Sequence, residues 1–234
     1  MQKNQLFKSP LSKDYWSLSS KELKSTNTLV LAAVITALRI AIKMLKIPVG
    51  PNLNITFGFF INAVGSMIYG PVVAVIASAI SDTVGAILFP TGTYFFPYIF
   101  TEISGGVIFA LFFYRAKITN LRVILARFAV TVITNLMIDP IITYYYYLFY
   151  LGKSYSLFSV PRVIKNIALF PLQCLLLIIF LNVVIPITNR FGYTYTGKVS
   201  LKPEKKDIIL ITILTLVSAI CVVLYYIYKG VITF

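Results

Sequence analysis

The sequence predicts an all-α integral membrane protein whose helices form one bundle. Of its 234 residues, 59% are hydrophobic, and these fall into runs of about 20 residues, the length that a helix needs to cross a bilayer. The runs are continuous and lack the alternation of apolar and polar residues that marks the strands of a membrane β-barrel. Because lipid offers the backbone no hydrogen-bond partners, continuous runs of this kind must be helical.

Seven spans follow from the apolar runs and from the glycines and prolines between them. The predicted spans are residues 27–45, 55–69, 71–88, 97–113, 123–151, 162–187 and 208–228. Gly70 and Pro71 separate the second span from the third with almost no loop, because glycine ends a helix well and proline opens one. We therefore expect these two helices to form a tight hairpin on the cytoplasmic side.

The basic residues set the predicted orientation and the domain limits. Lysines and arginines concentrate in the N-terminal tail, after span four and after span six, which places the N-terminus in the cytoplasm by the positive-inside rule. The predicted divisions are a tail 1–26, a six-helix membrane domain 27–190, a basic linker 191–207 and an extra C-terminal transmembrane helix 208–234. Ser19-x-x-Glu22 matches a capping box, so we expect a short interfacial helix in the tail.

The composition excludes several classes of function. The net charge of +14 would suit a nucleic-acid partner, but the positive-inside rule explains basic residues that lie between spans more simply. The chain has no histidine, and its two cysteines, Cys174 and Cys221, both lie inside apolar runs, so zinc and haem sites lack ligands. We expect no metal, no cofactor and no nucleic acid.

Four ionisable residues lie deep inside predicted spans, away from the span ends: Arg39, Asp82, Glu102 and Asp139. With a rise of ~1.5 Å per residue, Asp82 and Arg39 lie near mid-membrane, and the other two lie toward the outer side. Charged side chains at such depth mark substrate pathways by default; the alternative is that Arg39 pairs with Asp82 or Asp139 to hold helices together. We expect Arg127, in the first turns of span five, to reach the membrane surface, so it is left out of the candidate site.

A proline interrupts span five beside one of these acids. Pro140 removes a backbone donor and crowds the carbonyl of Leu136, so a kink or break is expected next to Asp139. Broken membrane helices line cavities rather than lipid.

Basic residues collect at the predicted outer mouth, although the positive-inside rule favours basic residues on the cytoplasmic side. They are Lys43, Lys46, Lys153, Arg162 and Lys165. A cationic rim above buried carboxylates suits a ligand that is anionic at one end and carries hydrogen-bond donors at the other. Aromatic side chains at this level either stack on a flat ring of the ligand or form an interfacial belt. The aromatic residues in the candidate site are Phe57, Tyr94, Phe95, Phe96 and Tyr145.

One stretch imitates a nucleotide-binding loop. Residues 192–199 read GYTYTGKV, close to the phosphate-binding pattern G-x-x-x-x-G-K-[ST]. Val199 stands where a hydroxyl must hold magnesium, and no strand precedes the segment. We conclude that the protein has no ATPase of its own, so any ATP dependence must come from a partner.

A row of small residues, Ala33-x-x-x-Ala37-x-x-x-Ala41, runs along one face of span one and permits close contact with another helix. At ~100° per residue, Arg39 lies roughly 200° from Ala37. The row and the arginine therefore face different environments. The row either docks a partner or packs within the bundle.

Four stretches are similar to one family of membrane proteins. They are ELKSTNTLVLAAVITALRI (22–40), GPNLNITFGFFINAVGSMIYGP (50–71), SDTVGAILFPTGTYFFPYIFTEISGGVIFALFFYR (81–115) and FSVPRVIKNIALFPLQ (158–173). They resemble the substrate-binding S component of energy-coupling factor (ECF) transporters. Asp82, Gly85 and Pro90-Thr-Gly92 match several vitamin-specific S components, whereas RI in span one, FGF opening span two and PRVIKN opening span six resemble the folate branch. The chain departs from the family at NLMIDPIITYYYY, around Asp139.

The resemblance implies a six-helix protein that binds folate or a reduced folate and joins a membrane scaffold (T) subunit and two cytoplasmic ATPases. The alanine row, Ala33, Ala37 and Ala41, is then the interface with the partner. In the pocket, the carboxylate of Asp82, Glu102 or Asp139 would accept hydrogen bonds from the pterin. The glutamyl carboxylates of the ligand would contact Arg162, Lys165 or Lys153. Residues 94–96 would act as a lid. Arg39 and Asn54, the latter from the matching stretch 50–71, complete the candidate binding set.

Three alternatives remain open at this point. The ligand is another vitamin, such as pantothenate or riboflavin, within the same architecture. The protein is a stand-alone transporter coupled to protons through Glu102 or Asp139. The third alternative, an intramembrane aspartyl enzyme with two carboxylates sharing a proton, lacks the G-x-G-D sequence, so we expect no enzymatic activity.

Overall fold

The computed structural model describes residues 6–7, 9–50, 53–90, 93–153, 155–157, 160–194 and 196, with scattered positions from 205 to 223. The predicted linker 191–207 and seventh span 208–228 lie largely outside this part of the chain, so both stay predictions. Within it, seven α-helices and one β-hairpin follow in order.

The α-helices are α1 Lys13–Glu22, α2 Thr26–Ile42, α3 Gly58–Leu88, α4 Ile99–Phe113, α5 Asn120–Ala129, α6 Asp139–Tyr146 and α7 Val160–Arg190. A 3₁₀ turn, Phe96–Tyr98, leads into α4, and π-helical segments, Val130–Ile138 and Tyr147–Leu151, follow α5 and α6. Because α5, α6 and the two π-helical segments are continuous, they form one long helix, Asn120–Leu151, which we call span five.

Four helices of the described chain are long and apolar enough to cross a membrane: Gly58–Leu88, Phe96–Phe113, Asn120–Leu151 and Arg162–Arg190. A fifth span results if α1 and α2, bent by 78° at their junction, are taken together. These lengths confirm the prediction of a helical membrane protein with several spans.

Helix α3 consists of two arms that fold back on each other. Gly70 has φ 73° and ψ 178°, outside the helical region, and Pro71 begins the second arm. A Cβ added to Gly106 of α4 would lie 2.5 Å from Ser78 Oγ and 3.4 Å from Asn62 Oδ1. In one straight helix, residues 62 and 78 would be roughly 24 Å apart. The two arms therefore form the hairpin that the Gly-Pro pair predicted.

A two-stranded antiparallel hairpin, β1 Lys46–Gly50 and β2 Leu53–Thr56, connects α2 to α3. The sequence analysis did not predict it and carried span one through to residue 45. Helix α2 ends earlier, at Ile42, because Pro48 and Gly50 disfavour helix while the branched residues of IPVG and LNIT favour strands. The all-α prediction holds for the membrane helices and not for this connection.

Span five changes its helical type beside Asp139. The π-helical segment Val130–Ile138 ends immediately before it, and Pro140 occupies the first turn of α6. Proline lacks the N–H that would continue the preceding hydrogen-bond ladder. The irregularity expected next to Asp139 is present in the form of π-helical turns. Such turns are frequent at functional sites.

Helix α1 packs across the end of the bundle, against the Gly70 turn and the C-terminus of α4. Buried Tyr15 donates its hydroxyl to the Ala110 carbonyl at 3.0 Å, and Ser19 Oγ accepts from the Val72 N–H at 3.1 Å. The helix in the tail is present, but the predicted capping box is wrong. Ser12 caps α1, and Ser19, in the middle of α1, satisfies an N–H at the start of the second arm of α3.

Helix α4 lies at the centre of the core. Its Phe109 and Phe113 are buried with Leu177 and Leu181 of α7. On the other side, a cluster of small residues allows α2, the second arm of α3 and α4 to approach closely; its alanines are Ala32, Ala74, Ala77 and Ala110.

Candidate functional site

A cavity of ≈ 1300 Å³ lies between α2, α3, α4, span five and α7. It exceeds the range of about 300–1,000 Å³ typical of small-ligand sites. Its wall carries the side chains of five basic residues and three acidic ones. The basic residues are Arg39, Lys43, Arg127, Arg162 and Lys165, and the acidic residues are Asp82, Glu102 and Asp139.

The first ionic cluster joins α2, α3 and α4. Glu102 accepts from Arg39 at 2.8 Å through one oxygen and lies 3.1 Å from Lys43 Nζ through the other. Arg39, 2% exposed, also donates to Ser78 Oγ at 3.1 Å. Asp82 has a longer contact, 3.5 Å, with Lys43. The structural pairing that the sequence suggested for Arg39 is therefore present, but its partner is Glu102.

Asp82 is the least satisfied of the three acids. Its Oδ2 has no hydrogen-bond partner within the part of the chain that the structure describes. Lys43 is shared, because it also approaches Glu102 and donates to the Ser81 carbonyl at 3.3 Å. A half-buried carboxylate with one distant cation retains capacity to accept charge-assisted hydrogen bonds.

The second ionic cluster joins span five to α7. Asp139 Oδ2 lies 3.0 Å from Arg162 Nη1, and Arg162 also donates to the Tyr155 hydroxyl at 2.8 Å. Lys165 lines the cavity one turn further along α7. Asp139 is the first residue of α6 and directly follows the π-helical segment of span five.

The third basic group of the cavity is Arg127, 5% exposed. Its Nε and Nη2 donate to Gln173 Oε1 at 3.0 and 2.6 Å, and its guanidinium lies 4.8 Å from the centre of the Phe59 ring. No carboxylate of the described chain pairs with it. Of the five N–H groups of an arginine, three are left for a ligand or water.

Arg127 and Asp139 lie at different depths. From the start of α5 at Asn120, Arg127 is roughly 10 Å along span five and Asp139 roughly 28 Å. The prediction that Arg127 reaches the membrane surface is wrong, because its side chain turns inward to Gln173 of α7. The cavity thus has two ends along span five: one with Arg127, Gln173 and Asn62, which we call the deep end, and one with Asp139, Arg162 and Lys165, which we call the outer end.

Six of the twelve predicted binding residues line the cavity: Arg39, Asp82, Glu102, Asp139, Arg162 and Lys165. They come from five helices. Their meeting was predicted from the depth of the first four and, for Arg162 and Lys165, from the basic rim at the outer mouth and the family resemblance. The side chain of Asn54, in β2, lies outside the described part of the structure.

The five predicted aromatic residues are not among the lining residues. Phe96 and Tyr145 are 60% and 46% exposed and face outward. Phe57 lies beside Phe60, and Tyr94 OH lies 3.3 Å from Thr83 Oγ1. Phe95 packs on Tyr98, Tyr146 and Tyr150, which ties the segment before α4 to the outer end of span five.

Sequence reasoning missed several lining side chains. They are Lys43, which had been placed on the rim, Arg127, and the uncharged Asn62, Thr134, Asn135, Tyr155, Asn166 and Gln173. Asparagine and glutamine side chains inside apolar spans could have indicated these lining positions, because a buried amide needs hydrogen-bond partners. Asn135 and Asn166, for example, form a 2.9 Å hydrogen bond across the cavity wall.

The part of the chain that forms this cavity is similar to known membrane transporters. The family model described as "ECF-type riboflavin transporter, S component" matches residues 23–190. The chain belongs to the S-component family of ECF-type transporters. The match begins after α1 and ends with α7, so it contains every residue of the cavity wall.

Relatives of this S component carry a different vitamin in their names. "Folate transporter FolT" of Clostridium novyi is 31% identical over 66% of this chain and 88% of its own length. "Folate transporter FolT" of Streptococcus mutans is 30% identical over 63% of this chain and 87% of its own. The solved "Crystal structure of FolT bound with folic acid" has 32% identity and a TM-score of 0.56, and the match covers 64% of this chain and 90% of that one.

Proposed function

We propose that this S component captures folate, or a reduced folate, from outside the cell and delivers it across the membrane as the substrate-binding subunit of an ATP-driven ECF transporter. The names of the relatives and the folic-acid complex of a similar structure support folate as the ligand. The protein is a transporter subunit and not an enzyme.

The charge balance of the cavity is the observation that carries this proposal. Five basic and three acidic side chains leave an excess of two positive charges. Folate contributes two ionised carboxylates, so its binding neutralises the excess. Its pterin adds an amino group and ring donors that suit carboxylates, together with a carbonyl that suits arginine.

The two ends of the cavity suggest how folate lies in it. At the deep end, Arg127 and Gln173 offer donors to the pterin carbonyl and ring nitrogens, while Asp82 accepts from the pterin amino group. At the outer end, Arg162 and Lys165 face the glutamyl carboxylates. The aromatic segment 94–96 then closes over the tail, as its contacts with Tyr146 and Tyr150 allow.

Riboflavin and pantothenate are weaker candidates within the same family. Riboflavin has a flat ring but no carboxylate, and pantothenate has one carboxylate but no ring. Neither matches both an excess of two positive charges and a deep end of amide and guanidinium groups. The family model is described by riboflavin, so riboflavin is the competitor that must be tested.

The alanine row of α2 supports docking of a membrane scaffold subunit. Ala33, Ala37 and Ala41 are all exposed, whereas Arg39 on the opposite side is buried. Small residues on an outward face allow close approach of a partner helix. Together with two ATPase subunits, the scaffold would supply the ATP hydrolysis that this chain lacks.

We also propose that the N-terminus is cytoplasmic and that the protein resides in the cell membrane. Placing the tail inside puts Arg162 and Lys165 on the external side, where the ligand enters. A stand-alone proton-coupled transporter would instead need an acid that releases its proton. Glu102, held by two cations, is poorly suited to that role.

Calorimetric titration of the purified full-length protein tests the ligand. We expect folate to bind far more tightly than riboflavin or pantothenate, and Asp82→Asn to weaken folate binding. Asp14→Asn, an exposed change on α1, is the matched control and should bind folate normally. Preference for riboflavin would refute folate specificity, and unaltered affinity in Asp82→Asn would remove Asp82 from the site.

A cellular assay separates the two transport mechanisms. Uptake of labelled folate is measured after ATP depletion and, separately, after collapse of the proton gradient. We expect uptake to stop with ATP depletion and to require the scaffold and ATPase subunits. Uptake that survives ATP depletion and requires the proton gradient would favour the stand-alone transporter.

A further inference from the structure

Helix α1 has one face in the bundle and one face that nothing in the described chain covers. Tyr15 and Ser19 hold the inner face through hydrogen bonds to α4 and to the second arm of α3. At ~100° per residue, Lys13 and Ser17 lie on the opposite side and Trp16 lies on its flank. Lys24 follows in the turn after α1. These outer side chains are exposed, Trp16 by 43%.

Aromatic and basic side chains occur together on this exposed surface. Trp16 and Leu11, which is 89% exposed, are apolar groups without a core to join, because α1 is already fixed by its inner face. Lys13 and Lys24 flank them on the outside. Tryptophan at the head-group level beside lysines is typical of helices that lie on anionic membranes.

The geometry of α1 supports contact with a membrane surface. Helix α1 is bent by 78° from α2, so it runs close to the membrane plane when α2 crosses the bilayer. Glu22 holds this bend, because its carboxylate accepts from the Thr28 hydroxyl at 2.8 Å and the Tyr114 hydroxyl at 3.0 Å. Since Glu22 is engaged in these bonds, Asp14 is the only acid of α1 whose charge opposes the exposed lysines.

Other cations lie near this surface and none of them is part of the cavity wall. Arg115, just past the end of α4, lies 3.4 Å from Glu22 of α1. A few residues further on, Arg122 at the start of α5 donates to the carbonyl of exposed Lys117 at 3.3 Å. The end of the bundle that carries α1 therefore has an excess of positive charge over Asp14. Anionic lipid attracts such clusters.

We propose that α1 and the turn after it form a lipid-binding element that holds this end of the protein on anionic phospholipid head groups through Lys13, Lys24 and the ring of Trp16. The site lies outside residues 23–190, the part of the chain shared with the S-component family, apart from Lys24. It is separate from the vitamin cavity. Anchoring fixes the depth and tilt of the bundle in a membrane rich in acidic lipid.

The chain has a single tryptophan, so its fluorescence reports on α1 alone. The full-length protein is reconstituted into phosphatidylcholine vesicles in which a fraction of the lipid is brominated phosphatidylglycerol or, in the parallel sample, brominated phosphatidylcholine. We expect stronger quenching of Trp16 by the anionic lipid, and we expect high salt to reduce the difference. The double variant K13Q/K24Q, which keeps the probe, should lose the preference by up to about fivefold per lysine.

The control variant is Lys153→Gln, which removes an exposed charge at the opposite end of span five and should leave the preference unchanged. Far-UV circular dichroism and thermal unfolding verify that each variant is folded. Equal quenching by the two lipids in the wild type, or an unchanged preference in K13Q/K24Q, would overturn the proposal. So would a Trp16 shielded from both lipids and from aqueous iodide, because the face would then be covered by protein.

Discussion

Replacing Arg127 by glutamine tests the proposed direction of the ligand. Two of the five N–H groups of this arginine bond to Gln173, and three remain for a ligand. It is also the deepest cation of the cavity. A hydrogen bond to a charged group contributes about 1.5–3 kcal/mol. Loss of one such bond to the pterin should therefore weaken folate binding roughly 10- to 150-fold.

The assay compares two ligands by calorimetric titration. Pteroate contains the pterin and the benzoate but lacks the glutamyl group. If Arg127 contacts the pterin, Arg127→Gln should weaken folate and pteroate binding by the same factor. Arg122→Gln is the matched control, since Arg122 lies on the same helix and outside the cavity wall, and it should leave both affinities unchanged.

Two results would refute the reasoning. If Arg127→Gln binds both ligands like the wild type, Arg127 only holds Gln173 and Phe59 in place. If the variant loses affinity for folate but not for pteroate, Arg127 contacts the glutamyl carboxylates, and the ligand lies in the opposite direction.

Three further predictions follow from the structure. Arg162→Gln should weaken folate binding about 10-fold or more and leave pteroate binding nearly unchanged, as measured in the same titrations; equal losses would contradict a tail at the outer end. Gly70→Ala should destabilise the protein by about 1–3 kcal/mol, because φ +73° and ψ 178° lie in a region open essentially to glycine and the new Cβ would lie 3.0 Å from Ser19 Oγ. Thermal unfolding should show no comparable loss for Gly58→Ala, where a Cβ meets nothing. Ala37→Trp should abolish folate uptake with the scaffold and ATPase subunits while folate binding by the isolated protein persists; normal uptake would exclude the alanine row as the interface.

The helical membrane class and the Gly70 turn could be predicted from sequence because both depend on local chemistry. A run of apolar residues long enough to cross lipid has no other conformation available, and Gly-Pro both ends and begins a helix. The depth of Arg39, Asp82, Glu102 and Asp139 also follows from residue count. That depth was enough to predict that they surround one site, and all four line the cavity.

The pairing of these charges was decided by tertiary structure. Whether Arg39 meets Asp82, Asp139 or Glu102 depends on the rotation of α2 against α4, which the sequence of either helix does not fix. Arg127 is the clearest case: near the end of a span, a long side chain reaches either outward to the head groups or inward. Gln173, distant in sequence, accepts the hydrogen bond of Arg127 and so draws it inward. In the same way, Ser19 accepts a hydrogen bond from the distant Val72 N–H.

The sequence by itself determined which segments of the described chain are long and apolar enough to cross a membrane and where each charge lies along them, because hydrophobic length and helical rise are properties of single segments. Only the packed bundle decided which of these charges pair with one another and which remain for a ligand. The physical reason is that a charge buried in lipid takes whichever partner the neighbouring helices present, and that choice is made between segments far apart in the chain.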